Sequence, residues 1–213
     1  MARLKHFSFI FNIPAFNRIK EMKKLVVIDA CVREKDSRTL RIAEPIVEAL
    51  GSRYETVRYR LPQMPMGPLT PRLYAEREAG SVPEWAIEAA REVAGADRIL
   101  IAAPFWDMSF PAVLKVFFEH ISLFGITFDS NDKTCRGLCR SEKVLFVTTR
   151  GMDISTGDPR EQATPYLKAL SSLWNMGEII TVAAQNMDYS TPEDIERKIA
   201  ACRTLGLQIA ETF

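Results

Sequence analysis

The sequence predicts an α/β fold: a five-stranded parallel sheet with helices on both faces. Three observations predict it. Short, continuous apolar runs recur along the 213 residues, and such runs suit strands buried on both faces, as parallel sheets require. Each run is followed by a segment of helical period, so strand and helix alternate about five times, as crossover connections demand. Hydrophobic residues make up 47% of the chain and charged residues 26%, enough apolar surface for one substantial core. No internal repeat or linker divides it.

The elements follow in order. Residues 25–29 (LVVID) read as the first buried strand. After a polar stretch over 33–38, Leu40, Ile42, Ala43, Ile46, Val47 and Leu50 recur at helical spacing, with Gly51 as a stop. Residues 54–61 (YETVRYRL) alternate as a second strand should. Pro62, Pro65, Pro68 and Pro71 exclude regular structure over most of 61–80, a loop long enough to cap a site or meet a second subunit. Residues 83–94 read as a helix opening on a proline, 99–103 (ILIAA) as the third strand and 112–123 as an amphipathic helix. Residues 143–149 (KVLFVTT) supply the fourth strand, 164–174 a helix and 178–184 the fifth strand. Residues 192–210 form the last helix, with Thr191 as its N-cap.

The composition excludes several classes of function. With 28 basic and 27 acidic residues the formal net charge is +1, so no basic excess exists to neutralise nucleic-acid phosphates. The four cysteines, Cys31, Cys135, Cys139 and Cys202, are too few and too irregularly spaced for a disulfide framework and read as free thiols. The C-x3-C pair Cys135/Cys139 lacks the further ligands that zinc or an iron–sulfur cluster needs, so no metal site is expected. No run approaches the about 20 apolar residues that span a bilayer, and a cytoplasmic location without a membrane partner is expected. Residues 7–16 (FSFIFNIPAF) resemble a short signal segment, yet Asn12 and Pro14 interrupt it and no small-residue cleavage site follows. Residues 1–21 are therefore read as an N-terminal extension, non-native or disordered; the alternatives are an export signal and an apolar arm packed on a partner. Residues 22–213 form the folded domain.

In doubly wound sheets ligands bind outside the carboxyl ends of the strands, near the point where strand order reverses. Three loops at that end carry unusual chemistry. In the first, over residues 30–39, Ser37, Arg38 and Thr39 stand at a helix start, where free N–H groups, hydroxyls and a guanidinium suit an anion; the alternative is that Ser37 or Asp36 only caps the helix. The glycine patterns of dinucleotide folds and P-loops are absent. In the second, residues 103–111, two prolines bracket three aromatics, which suit a flat heterocycle or else pack the core beneath a stiff loop. In the third, Thr149, Arg150, Gly151 and Met152, the glycine permits close backbone approach to a ligand or serves a plain turn. Together the three fit a mononucleotide with a planar base.

Residues 96–128 (ADRILIAAPFWDMSFPAVLKVFFEHISLFGITF), with TTRG at 148–151 and TPYL at 164–167, resemble the FMN-dependent NAD(P)H:quinone oxidoreductases and azoreductases of the flavodoxin-like superfamily. The resemblance runs from about Met22 to the C-terminus. It implies a flavodoxin-like three-layer sandwich with strand order 2-1-3-4-5. It implies that Ser37, Arg38 and Thr39 hold the FMN phosphate, with Cys31 where relatives often carry serine. Pro104, Phe105, Trp106, Asp107 and Met108 would line the isoalloxazine ring, and Thr149, Arg150, Gly151 and Met152 would close its other side. NADH or NADPH would pass hydride through flavin N5 to a quinone, azo or similar electron-poor acceptor in a ping-pong cycle. No catalytic side chain is required, and His6 and His120 are not assigned a role; His120 reads as structural. A homodimer with the flavin near its interface is expected. The other readings are a flavodoxin-type electron carrier and a non-enzymatic flavin-binding redox sensor. Two positions depart from relatives: Asp107 stands where asparagine is common, and Met152 where a second glycine is. An ionised carboxylate beside the ring would disfavour its anionic reduced form.

Overall fold

The computed structural model describes residues 22–213; the expectations for residues 1–21, including His6 and the 7–16 segment, lie outside the described residues. The chain runs β1 (Lys23–Asp29), α1 (Arg38–Gly51), β2 (Tyr54–Arg60), α2 (Pro71–Glu78), α3 (Glu84–Gly95), β3 (Arg98–Ala102), α4 (Ala112–Ile121), β4 (Phe128–Ser130), β5 (Cys135–Gly137), β6 (Lys143–Thr149), α5 (Ala163–Trp174), β7 (Glu178–Ala184) and α6 (Pro192–Thr212). Five strands form one parallel sheet in the order β2-β1-β3-β6-β7. Counted along the five predicted strands, this is the expected 2-1-3-4-5.

The two-residue period of the strands sorts their side chains between two cores. Val26, Ile28, Ile99, Ile101, Val144 and Phe146 face α3, α4 and α5. Leu25, Val27, Leu100, Ala102, Leu145 and Val147 face α1 and α6. Continuous apolar strands are needed because both faces of the sheet are covered. On the second face α1 and α6 pack closely: a Cβ at Gly206 would collide with Ile46 Cδ1. Pro45 lies inside α1 and has no N–H for the Arg41 carbonyl one turn back. Arg203 Nη2 of α6 donates to that carbonyl instead, at 3.2 Å.

Two elements depart from the sequence reading. The last part of the proline-rich stretch is helical, because Pro71 occupies the first helical position, where its missing N–H costs nothing, and Thr70 Oγ1 accepts from Leu73 N at 3.3 Å. Arg77 of this helix donates to Glu119 O at 2.8 Å and also to Ser122 O, satisfying carbonyls at the end of α4. His120 fixes the same stretch: its Nε2 lies 2.8 Å from Gly67 O, and its ring centroid is 5.0 Å from that of Trp85. The second departure is the antiparallel β4–β5 hairpin outside the main sheet. Its strands have three residues each, too few to show a period.

All four cysteines are free. Burial pushes the Cys139 thiol up to about 12 and the Cys31 thiol higher still, and it also raises Cys202. Only Cys135 is exposed. We expect a disulfide reagent such as Ellman's to titrate one thiol quickly in the native protein and all four after unfolding. A fast reaction at Cys31 or Cys139 would contradict this packing.

Candidate functional site

The carboxyl ends of β1, β3, β6 and β7 converge on one cavity of about 150 Å³. Its first wall is the start of α1. Ser37 is buried and caps the helix, its Oγ accepting from Leu40 N at 3.3 Å. The amides of Arg38 and Thr39 belong to the first turn, where N–H groups have no intrahelical acceptor. Arg38 and Thr39 line the cavity with Ser37 and Arg33. The cap uses one acceptor position of the Ser37 hydroxyl and leaves the first-turn N–H groups without an intrahelical acceptor. The Thr39 hydroxyl meets Thr149 Oγ1 at 2.7 Å, both residues being buried, and ties α1 to the end of β6. Cys31 lies beneath this loop, 2% exposed. Its N–H donates to Asp29 Oδ1 at 3.0 Å, and its thiol contacts Ala102 O at 3.5 Å. Burial raises the Asp29 carboxyl above its ordinary range.

The second wall follows β3. Trp106 and Ser109 exchange both backbone hydrogen bonds, at 3.0 and 2.8 Å, closing a two-residue turn on Asp107 and Met108. Both central residues are left-handed, with φ of 47° and 65°. That is the pattern of a type I′ turn. Aspartate, like asparagine, tolerates this conformation, which explains Asp107 physically; methionine does so at a cost in strain. The exposed Asp107 carboxylate is solvated. The aromatics divide. Phe105 and Phe110 turn into the core and are 9% and 8% exposed, whereas Trp106 is 42% exposed and Met108 37%. Phe105 also borders the cavity. Its amide donates to Thr149 O at 3.0 Å, joining the second wall to the third.

The third wall follows β6. Arg150 is fully buried, its guanidinium carbon 5.5 Å from the Phe105 ring centroid. Nη1 donates to Ile154 O and Nη2 to Thr156 Oγ1, both at 2.9 Å, so the side chain pins the loop that Gly151 and Met152 begin. Glu161 Oε1 lies 3.8 Å from Nη2, beyond hydrogen-bond distance. Burial lowers the Arg150 pKa, with Glu161 opposing. Met152 is 37% exposed.

A fourth wall escaped the sequence reading. After β7 the chain runs beside residues 150–152: Met187 N donates to Arg150 O and Asp188 N to Gly151 O, both at 3.0 Å. Asp188 Oδ1 accepts from Arg38 Nη1 at 2.9 Å. A Cβ at Gly151 would collide with the Asp188 carboxylate, so the glycine makes room for it. The usable signal was position alone, since the segment leaves the carboxyl end of a strand.

A larger cavity of about 510 Å³ lies beyond residues 31–35, between α1 and the end of β2. It has no aromatic wall, and two of its charges are already paired, Arg41 with Glu196 and Glu44 with Arg58. The smaller cavity combines helix-start residues, a guanidinium and the exposed Trp106, whereas Cys31, Asp107, Met108 and Met152 are not among its lining residues. It is the better fit to an anion joined to a flat ring.

A sequence model of the flavodoxin-like fold matches residues 23–205. The chain belongs to the flavodoxin-like fold family. Within this family it is 29% identical over 184 residues to FMN-dependent NADH:quinone oxidoreductase 2 of Clostridium acetobutylicum, covering 82% of this chain and 92% of that one. The azoreductase of Bacillus anthracis Sterne superposes with a TM-score of 0.74 at 18% identity, covering 90% of this chain and 100% of that one. An FMN-dependent NADH-azoreductase of Bacillus anthracis Ames Ancestor, solved with FMN, gives 0.71 at 17% identity over 89% of this chain and 100% of its own. At these identities the two structures speak to the flavodoxin-like fold.

Proposed function

We propose that the protein is an FMN-dependent NAD(P)H oxidoreductase that reduces quinones, azo compounds or similar electron-poor acceptors. One observation carries the reading: Ser37, Arg38 and Thr39 at the start of α1 line the same cavity as Phe105 and Trp106, the latter exposed at the edge of a strained turn. The activities by which the similar proteins are named support it. Ser37, Arg38 and the first-turn amides of α1 hold the phosphate. Trp106, Asp107 and Met108 line one side of the ring, and Thr149 to Met152 close the other, where Gly151 keeps the backbone low. Bound FMN supplies the hydride-accepting and electron-donating chemistry. The protein's part is to orient the ring and leave one of its faces accessible. NAD(P)H and the acceptor use that face in turn, so the cycle is ping-pong.

Trp106, Met108 and Met152 are exposed apolar side chains on the two loops beside the cavity, surface that a second copy of the chain would cover, and we assign a homodimer with the flavin near its interface. Among the described residues no helix is long and apolar enough to cross a membrane, and the assigned location is the cytoplasm.

The purified protein is expected to be yellow after reconstitution with FMN, to bleach on anaerobic addition of NADH or NADPH, and to recover its colour with a quinone. A protein that binds FMN yet is not bleached by either nicotinamide is an electron carrier or sensor. A protein that does not take up FMN ends the reading.

A further inference from the structure

Arg150 and Glu161 are both fully buried, and neither is matched to the other. Glu161 spends Oε1 on the Thr164 amide, at 2.9 Å, in the first turn of α5. Its Oε2 has no partner among the described residues, nor does Arg150 Nε. The guanidinium lies between two surroundings. Behind it are Glu161 and the carbonyl and hydroxyl of Ile154 and Thr156. In front is the Phe105 ring; Phe105 and Arg150 line the cavity and Glu161 does not. The cation is therefore nearer the cavity than the carboxylate that offsets it. At 3.8 Å and with no hydrogen bond between them, the two charges cancel incompletely on the cavity side. No solvent reaches either side chain to screen what remains.

This geometry has a direct consequence for a redox ring. Oxidised FMN takes up a hydride from NAD(P)H, two electrons and one proton. The nicotinamide leaves as the oxidised cation and the flavin ring carries one additional negative charge. A fixed positive field favours that charged product over the neutral oxidised ring. We propose that Arg150, offset by Glu161, is a buried electrostatic determinant of the flavin's reduction potential, favouring the reduced anion. The residue does not touch the reacting atoms; it acts through its field across the Phe105 wall. The inference rests on FMN occupying this cavity.

The test is the midpoint potential of bound FMN, equivalent to the ratio of its reduced and oxidised affinities. Glu161→Gln removes the offsetting charge, so the potential should rise and the preference for reduced FMN should grow by about fivefold. Arg150→Met combined with Glu161→Leu removes both charges, the nearer one being the cation, so the potential should fall below that of the wild type. Opposite shifts are required. Unchanged potentials, or shifts in one direction, overturn the proposal. Should Glu161→Gln fail to fold, the double variant decides: a fall supports the proposal and an unchanged or raised potential ends it. Wild-type protein that binds no FMN would instead refute the functional reading on which this rests.

Discussion

Replacing Ser37 and Arg38 together by alanine is expected to weaken FMN binding by about 100-fold or more. The double change removes a hydroxyl and a guanidinium from the anion cradle. A neutral hydrogen bond is worth about 1 kcal/mol and one to a charged group about 1.5–3 kcal/mol, and each 1.4 kcal/mol is about tenfold in affinity. Part of the Ser37 effect falls on the helix, because its Oγ caps α1 through Leu40 N; loss of such a cap costs about 1 kcal/mol of stability. Arg38 has its own competing partner in Asp188, at 2.9 Å, but that pair is exposed, with side-chain exposures of 32% and 67%, and contributes little. Titration of FMN fluorescence quenching measures the loss. Riboflavin has the ring without the phosphate, so its weaker affinity should change little. Equal losses for the two ligands would show that the variant damages the ring wall, and unchanged FMN affinity would remove both residues from the phosphate site.

Arg150→Met alone is expected to lower the stability of the apoprotein by about 3–5 kcal/mol, the usual consequence of stranding one partner of a buried ion pair. The variant leaves Glu161 fully buried with only the Thr164 amide as partner. It also frees the Ile154 carbonyl and the Thr156 hydroxyl, so the 151–156 loop loses its anchor. Arg150→Met with Glu161→Leu should recover much of the loss, since apolar replacements of both partners are often neutral. Urea unfolding of the three proteins measures the differences. A single variant as stable as the wild type would mean that Glu161 is neutralised or hydrated and that the pair is not the buried charge system described here.

The two predictions concern residues that differ in how far the sequence could reach. Ser37 and Arg38 were recognisable because a hydroxyl before a helical pattern signals a helix start, and free amides at a helix start attract anions wherever the rest of the chain lies. Arg150 was recognisable only as part of a turn motif. Its burial, its contact with Phe105 and its distance from Glu161 depend on three segments meeting. For the aromatics of 104–111, the sequence left ring wall and core packing open, and the structure divides them: Phe105 and Phe110 go inward, Trp106 outward. That division follows from the left-handed turn at Asp107 and Met108, which reverses the chain within two residues.

By itself, the sequence determined the five strands, their alternation with helices and the three loops that meet at the sheet's carboxyl edge. Apolar runs and helical periods are local properties, and burial on both faces of a parallel sheet selects them directly. It also determined the chemistry offered there: hydroxyls and arginine in one loop, aromatics in another. Only the tertiary structure decided which atoms face the cavity. It turned the Thr39 hydroxyl to Thr149, set Asp188 against Gly151, and placed an imperfectly matched charge pair behind Phe105. The first of these joins residues 110 apart in sequence, and Arg38 meets Asp188 across 150. No local pattern encodes them, because each is set by how the packed elements bring distant side chains into register.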